Sequence, residues 1–148
     1  MSAQAKIAVK PSLTLKRHLN APPERVYAAW TDPQKLKTWF GPQHIETLRA
    51  EADARVGGRF RMVMRDADGE EHDVSGVYRE VVPNRKLTYT WVWKDSPERE
   101  SLVTMELRAL GSDTEFTLRH EQFADAEAAT KHEHGWTGCL ARLEHYLA

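Results

Sequence analysis

The stretch DAEAATKHEHGWTGCLARLEHYLA, residues 125–148, can be read as a metal or nucleophile site or as one long helix, and the choice decides the fold. Residues 131–139 crowd two histidines, an acid and the chain's single cysteine into one short run. At 100° per residue, however, Ala129, His132, Trp136, Leu140, Leu143 and Leu147 fall within about 80° of one another, the apolar stripe of an amphipathic helix. Asp125 stands where an N-cap is wanted. On such a helix His132 and His134 lie about 200° apart and cannot chelate one ion. The His-Glu-x-x-His pattern is absent, because Trp136 stands four residues after His132. The expectation is no metal. Cys139, in the helix beside the apolar stripe, reads as a small buried hydrophobe rather than a nucleophile, which would need a base in reach and a lowered pKa.

A helix with one apolar stripe needs a surface to bury it. Between residue 45 and about 123 the chain reads as six strands separated by turn chemistry: Val56-Gly-Gly58, Asp66-Ala-Asp-Gly69, Pro83-Asn-Arg85, Asp95-Ser-Pro97 and Gly111-Ser-Asp113. One parity is large and apolar: Phe60, Met62 and Met64; Leu87, Tyr89, Trp91 and Trp93; Val103, Met105 and Leu107; Phe116 and Leu118. The other parity is mixed, with Arg59, Thr88, Thr104 and Arg119 among its members, so one face wants covering and the other can meet water. Connections this short require antiparallel neighbours.

Ahead of the sheet, SLTLKRHL (residues 12–19) alternates as a half-buried strand, with Arg17 the polar exception on its apolar side. NAPPERVYAAWTDPQKLKTWFGP (residues 20–42) reads as two short helices. Pro23 suits a first turn, Asp32 or Thr31 a cap before Pro33, and Gly41-Pro42 a stop. Residues 1–11 show no period and are expected to form a loose leader to a single domain spanning 12–148.

The 148 residues carry 21 basic and 22 acidic side chains, net −1, which provides no basic excess to hold nucleic acid or an anionic membrane. One cysteine cannot form an internal disulfide, and the N-terminus lacks the apolar run of a signal peptide, so a cytoplasmic protein is expected.

The order strand, two short helices, six strands and long helix, with APPERVYAAWTDPQKLKTWFGP, VGGRFRMVM, SGVYREVVPNRKLTYTWVW and HEHGWTGCLARLEHYL, resembles the heat-shock-protein-90 ATPase activator homologue-like family. That family belongs to the START-related (SRPBCC) helix-grip superfamily. The resemblance covers nearly the whole chain from about residue 12. It implies an α+β helix-grip fold, in which an antiparallel sheet of about seven strands wraps the C-terminal helix and leaves a cavity between them. The family offers no shared catalytic set to carry over, and no cofactor is implied.

A cavity of this kind has mostly apolar walls with a few polar handles. The candidate ligand-binding residues are Trp39, Phe40, Phe60, Met62, Met64, Tyr78, Tyr89, Trp91, Trp93, Met105, Phe116, Leu118, His120, His132, Trp136 and Leu140. His120 shares the parity of Phe116 and Leu118 and His132 heads the helix stripe, so both are expected to point inward and to orient a ligand. Arg17 and Tyr78 are weaker polar candidates. Trp39 and Phe40 are candidate lid residues, competing with a plain anchoring role in the helix pair. RDADGEEHD (residues 65–73) reads as a solvated hairpin and KDSPERE (residues 94–100) as a loop at the cavity rim. The expected function is binding of a small hydrophobic or aromatic molecule without chemistry of the protein's own. Two alternatives stand beside it: a cochaperone-like partner of a heat-shock protein 90 ATPase, implied by the resemblance alone, and a cyclase- or hydrolase-type enzyme using a cavity histidine.

Overall fold

The computed structural model describes residues 10–148. In chain order the elements are β1 (Leu13–Leu19), α1 (Pro23–Thr31), α2 (Pro33–Trp39), β2 (Glu46–Ala52), β3 (Arg59–Arg65), β4 (Glu71–Val82), β5 (Lys86–Trp93), β6 (Ser101–Leu110), β7 (Asp113–Glu121) and α3 (Ala126–Leu147). The seven strands form one antiparallel sheet in the order β1-β7-β6-β5-β4-β3-β2. Only β1 leaves chain order. It pairs with β7 at the far edge, Leu13 opposite His120 and Leu19 opposite Thr114, so the two short helices carry the chain from one sheet edge to the other. Most of the expected leader lies outside the described residues; at its end the Pro11 carbonyl accepts the Phe123 N–H at 3.2 Å.

The parity rule holds along the sheet. Phe60, Met62, Met64, Leu87, Tyr89, Trp91, Val103, Met105, Leu107, Phe116 and Leu118 are all buried, and so are Trp136, Cys139, Leu140, Leu143 and Leu147 of α3. Asp125 caps α3, its carboxylate accepting the Ala128 N–H at 2.8 Å. Asp32 caps α2 in the same way through Gln34. Cys139, placed by the helical pattern beside the stripe, is buried within the core. Arg17 faces α3 as expected and lies 3.8 Å from Glu144, so its partner is a helix carboxylate.

Register shifts in β2 between Thr47 and Arg49, and in β4 between Tyr78 and Glu80, mark where the sheet departs from a flat ladder. A third irregularity lies beside the β4 shift. The Val77 N–H is taken by the Thr90 hydroxyl at 2.9 Å, and the Gly76 backbone runs hard against the Thr90 carbonyl. These bends let the sheet curl around α3, whose two ends it does not grip equally.

Candidate functional site

The half of α3 nearer its N-terminus stands away from the sheet and leaves a cleft of about 490 Å³. Phe40, Gly41, Pro42, Gln43 and Ile45 of the α2–β2 loop form one wall, Met64, His72, Trp91 and Trp93 of the sheet with Asp66 of the β3–β4 turn another, and Lys131, His132, His134, Gly135, Trp136 and Cys139 of α3 the third. The floor is aromatic. Trp91 lies 5.1 Å from Trp136 and 5.5 Å from Trp93, centroid to centroid, and Phe40 meets Trp136 edge-on at 6.0 Å. The polar groups Asp66, His72, Lys131 and His134 stand around the mouth.

The loop wall is held by a residue whose sequence context suggests an ordinary helix-surface charge. Nη1 of Arg142 lies 3.1–3.3 Å from the carbonyl oxygens of Phe40, Gly41, Pro42 and Ile45. Close approach of loop to helix is made possible by glycine: a Cβ at Gly138 would stand 3.2 Å from the Gln43 nitrogen. Two small residues spaced a turn apart, Gly135 and Gly138, are the sequence signal for this docking.

Of the sixteen candidate residues, the structure brings Phe40, Met64, Trp91, Trp93, His132 and Trp136 to the cleft. Phe60, Met62, Tyr78 and Tyr89, with Trp30, Leu36, Phe40 and Trp91, surround instead a separate void of about 20 Å³ between the sheet and the short helices. Trp39, Met105, Phe116, Leu118, His120 and Leu140 line neither space and belong to the core. Trp39 is fixed there because its indole N–H donates to the Ala29 carbonyl at 2.9 Å, which ties α2 to α1; it anchors the helix pair. Phe40, one residue on, reaches the cleft. The hairpin at 65–73 is more than a solvated turn, since Asp66 and His72 reach the cleft mouth.

Both inward histidines are fully partnered. His120 Nδ1 accepts the Trp136 indole N–H at 3.0 Å, which leaves Nε2 protonated and donating to Ser101 Oγ at 2.7 Å; Ser101 in turn donates to the Trp91 carbonyl at 3.3 Å. His132 donates from Nδ1 to the Ala128 carbonyl at 2.7 Å and accepts the Trp93 indole N–H on Nε2 at 2.9 Å. Each ring is therefore neutral, with its tautomer set by a tryptophan that can only donate. Burial, with the neighbouring His132 adding to it, pushes the His120 pKa down to about 2, and burial also lowers that of His132. The thiol of Cys139 is pushed up to about 12 by burial and carries no thiolate at neutral pH.

A histidine held neutral by the fold binds a proton more readily once unfolded, so folding stability contributed by His120 is present above about pH 6.5 and is lost as pH falls toward its folded value. Urea unfolding of the protein at pH 7 and pH 5 should show a loss of about 2 kcal/mol, since each pKa unit is about 1.4 kcal/mol. Replacing His120 by Gln should flatten that pH slope; an unchanged slope in the variant would place the proton uptake elsewhere.

Among the described residues, Asp66, Glu70 and His72 bring potential ligand atoms within 4.8 Å of one another. The Asp66 carboxylate is committed to the hairpin, accepting the Asp68 and Glu70 N–H groups at 2.9 and 3.1 Å and meeting His72 Nε2 at 2.9 Å. These bonds account for the cluster as turn chemistry.

The curled antiparallel sheet, the long C-terminal helix and the aromatic cleft between them define a helix-grip protein. Residues 20–148 match the family described as Activator of Hsp90 ATPase homolog 1-like protein, and the chain belongs to that family. Solved structures similar to it include a protein from Chromobacterium violaceum, 32% identical with a TM-score of 0.85, covering 92% of this chain and 96% of that one. Another is from Silicibacter pomeroyi, 31% identical with a TM-score of 0.83, covering 93% and 97%. A third, from Nitrosomonas europaea, is 30% identical with a TM-score of 0.78 and covers 92% and 93%. No curated protein matches the sequence. No helix among the described residues is long and apolar enough to cross a membrane.

Proposed function

We propose that the protein is a cytoplasmic carrier or sensor that binds one small hydrophobic or aromatic molecule in the cleft between α3 and the sheet. The observation that carries this reading is the cleft itself. Its volume of about 490 Å³ lies within the range of small-molecule sites, and its floor is built from Phe40, Met64, Trp91, Trp93 and Trp136. Aromatic rings supply stacking surface, and Met64 adds a flexible, polarisable contact. The single cysteine, buried and unpaired, fits a reducing compartment.

The alternatives have less behind them. The partnered histidines argue against an enzyme using a cavity histidine, because each ring nitrogen that could move a proton is already bonded within the fold. The chaperone reading rests on family membership alone. The large apolar side chains exposed among the described residues, Val56, Val82 and Leu110, stand at three different turns.

The neutral dye N-phenyl-1-naphthylamine, whose emission rises in apolar surroundings, tests the reading. It should bind with one-to-one stoichiometry, and Gly135→Leu, which pushes a side chain from α3 into the cleft, should weaken binding roughly tenfold, the scale of about 1.4 kcal/mol of lost contact. Failure of the dye to bind, or equal binding to the variant, would remove the cleft as the site.

A further inference from the structure

Trp91 borders both the cleft and the small void, as does Phe40, so these two rings are the walls the two spaces share. The Trp91 indole nitrogen is buried and has no hydrogen-bond partner among the described residues. The other four indoles all place their N–H groups: Trp30 on Tyr89, Trp39 on Ala29, Trp93 on His132 and Trp136 on His120. An indole N–H left unbonded in a protein interior costs about 1–3 kcal/mol. A tryptophan kept there against that cost is a donor waiting for an acceptor.

The void of about 20 Å³ has room for about one oxygen-sized atom. Its polar lining is rich in donors. The Tyr89 hydroxyl spends its oxygen on the Trp30 N–H at 3.2 Å and still has its own proton to place. Burial raises the pKa of Tyr89 and Tyr78, so both stay protonated. A water molecule taking two donors here would bring two further protons into a wall made otherwise of Leu36, Phe40, Phe60 and Met62. A carbonyl oxygen brings two lone pairs and no proton, which is the better match.

We propose that the cleft takes a neutral ring compound bearing a carbonyl oxygen, and that this oxygen enters past Phe40 to accept the Trp91 N–H, with the Tyr89 hydroxyl as a second donor. This deepens the cleft reading and rests on it. Neutrality follows from the walls: no cation lines the void, and a buried anion without one is costly. Charged substituents belong at the mouth, where Lys131, His134 and Asp66 stand.

The test uses 1-tetralone and tetralin, ring systems of one shape that differ by a carbonyl oxygen, titrated into ¹⁵N-labelled protein. 1-Tetralone should bind roughly fivefold more tightly, the scale of a net hydrogen bond of about 1 kcal/mol. It should move the Trp91 indole N–H resonance downfield, where tetralin leaves it unbonded. In Trp91→Phe the affinity ratio should shrink to what the Tyr89 hydroxyl alone supports, and an undiminished ratio would remove Trp91 as the donor. Equal affinities in the unaltered protein, with an unmoved Trp91 resonance, overturn the carbonyl inference and leave the apolar cleft standing. Binding of neither compound overturns both. Should Trp91→Phe fail to fold, the resonance and the affinity ratio decide without it.

Discussion

Replacing Gly76 by alanine is expected to cost the protein about 3 kcal/mol or more, among the largest losses any single added methyl could cause here. A Cβ at this position would lie 1.8 Å from the Thr90 carbonyl oxygen and 2.5 Å from Phe60 Cε1. The first contact is with backbone, which cannot swing aside as a side chain can. Gly76 sits opposite Phe60 on β3 and beside the point where Val77 gives its N–H to Thr90 Oγ1 instead of the ladder. Relief of the clash would have to push β4 from β5 at the centre of the sheet, and with it the strand that presents Trp91. Urea unfolding of Gly76→Ala against the unaltered protein measures the effect. A loss under 1 kcal/mol would mean that the β4–β5 crossing is looser than its geometry says.

Arg142→Met should cost about 3 kcal/mol and should also open the cleft's loop wall. Four carbonyl oxygens converge on one guanidinium nitrogen, whose two N–H groups are shared among them. Hydrogen bonds to a charged partner contribute about 1.5–3 kcal/mol, and removal of this one donor strips the Gly41 and Ile45 carbonyls of it, while Phe40 keeps the Thr47 hydroxyl and Pro42 the Ile45 N–H. Methionine keeps much of the apolar stem, so the loss isolates the charge. Hydrogen exchange should speed up at the Ile45 amide, whose own bond to the Pro42 carbonyl depends on the loop's shape, while the amides of β6 and β7 keep their protection. Lysine at this position should recover only part of the loss, because a compact ammonium cannot present a planar fork to separated carbonyls. Retention of full stability and of slow exchange in Arg142→Met would show that the loop holds itself.

These two residues mark where sequence reading stops. Alternation in β3, β5, β6 and β7 and the stripe from Ala129 to Leu147 were legible because each repeats a local period that survives folding unchanged. From that much, an antiparallel sheet with one face to cover, a long helix to cover it and the inward direction of His120 and His132 follow; the helix-grip class comes with the family resemblance. Arg142 was not legible, since an arginine on a helix flank looks the same whether it meets water or the carbonyls of a loop a hundred residues away. Gly76 inside a strand signals a bulge or a close backbone approach, but not which strand approaches, and its partner Thr90 lies on another strand. The division of the candidate residues among cleft, void and core was hidden for the same reason. Parity says which face a side chain takes; it does not say how far α3 stands from the sheet at that level. Trp91 and Met105 share a face of adjacent strands, yet Trp91 borders the cleft and Met105 is sealed in the core. The histidines show the same limit. Spacing turned them inward, but their bonding to Trp136 and Trp93 depends on the approach of α3 to β5 and β7.

The full bonding of the two inward histidines, His120 and His132, shapes what the cleft can do. Its walls offer stacking, apolar contact and one unspent indole donor, which suits recognition and holding more than proton transfer. The ionisable groups at the mouth are far less buried than those inside and face solvent with the entering ligand.

A crystal structure of the protein grown with N-phenyl-1-naphthylamine tests the central claim most directly. The cleft reading predicts density for the dye between α3 and β3–β5, in contact with Phe40, Trp91, Trp93 and Trp136. Dye found bound elsewhere, with those four rings closed on one another, would contradict it.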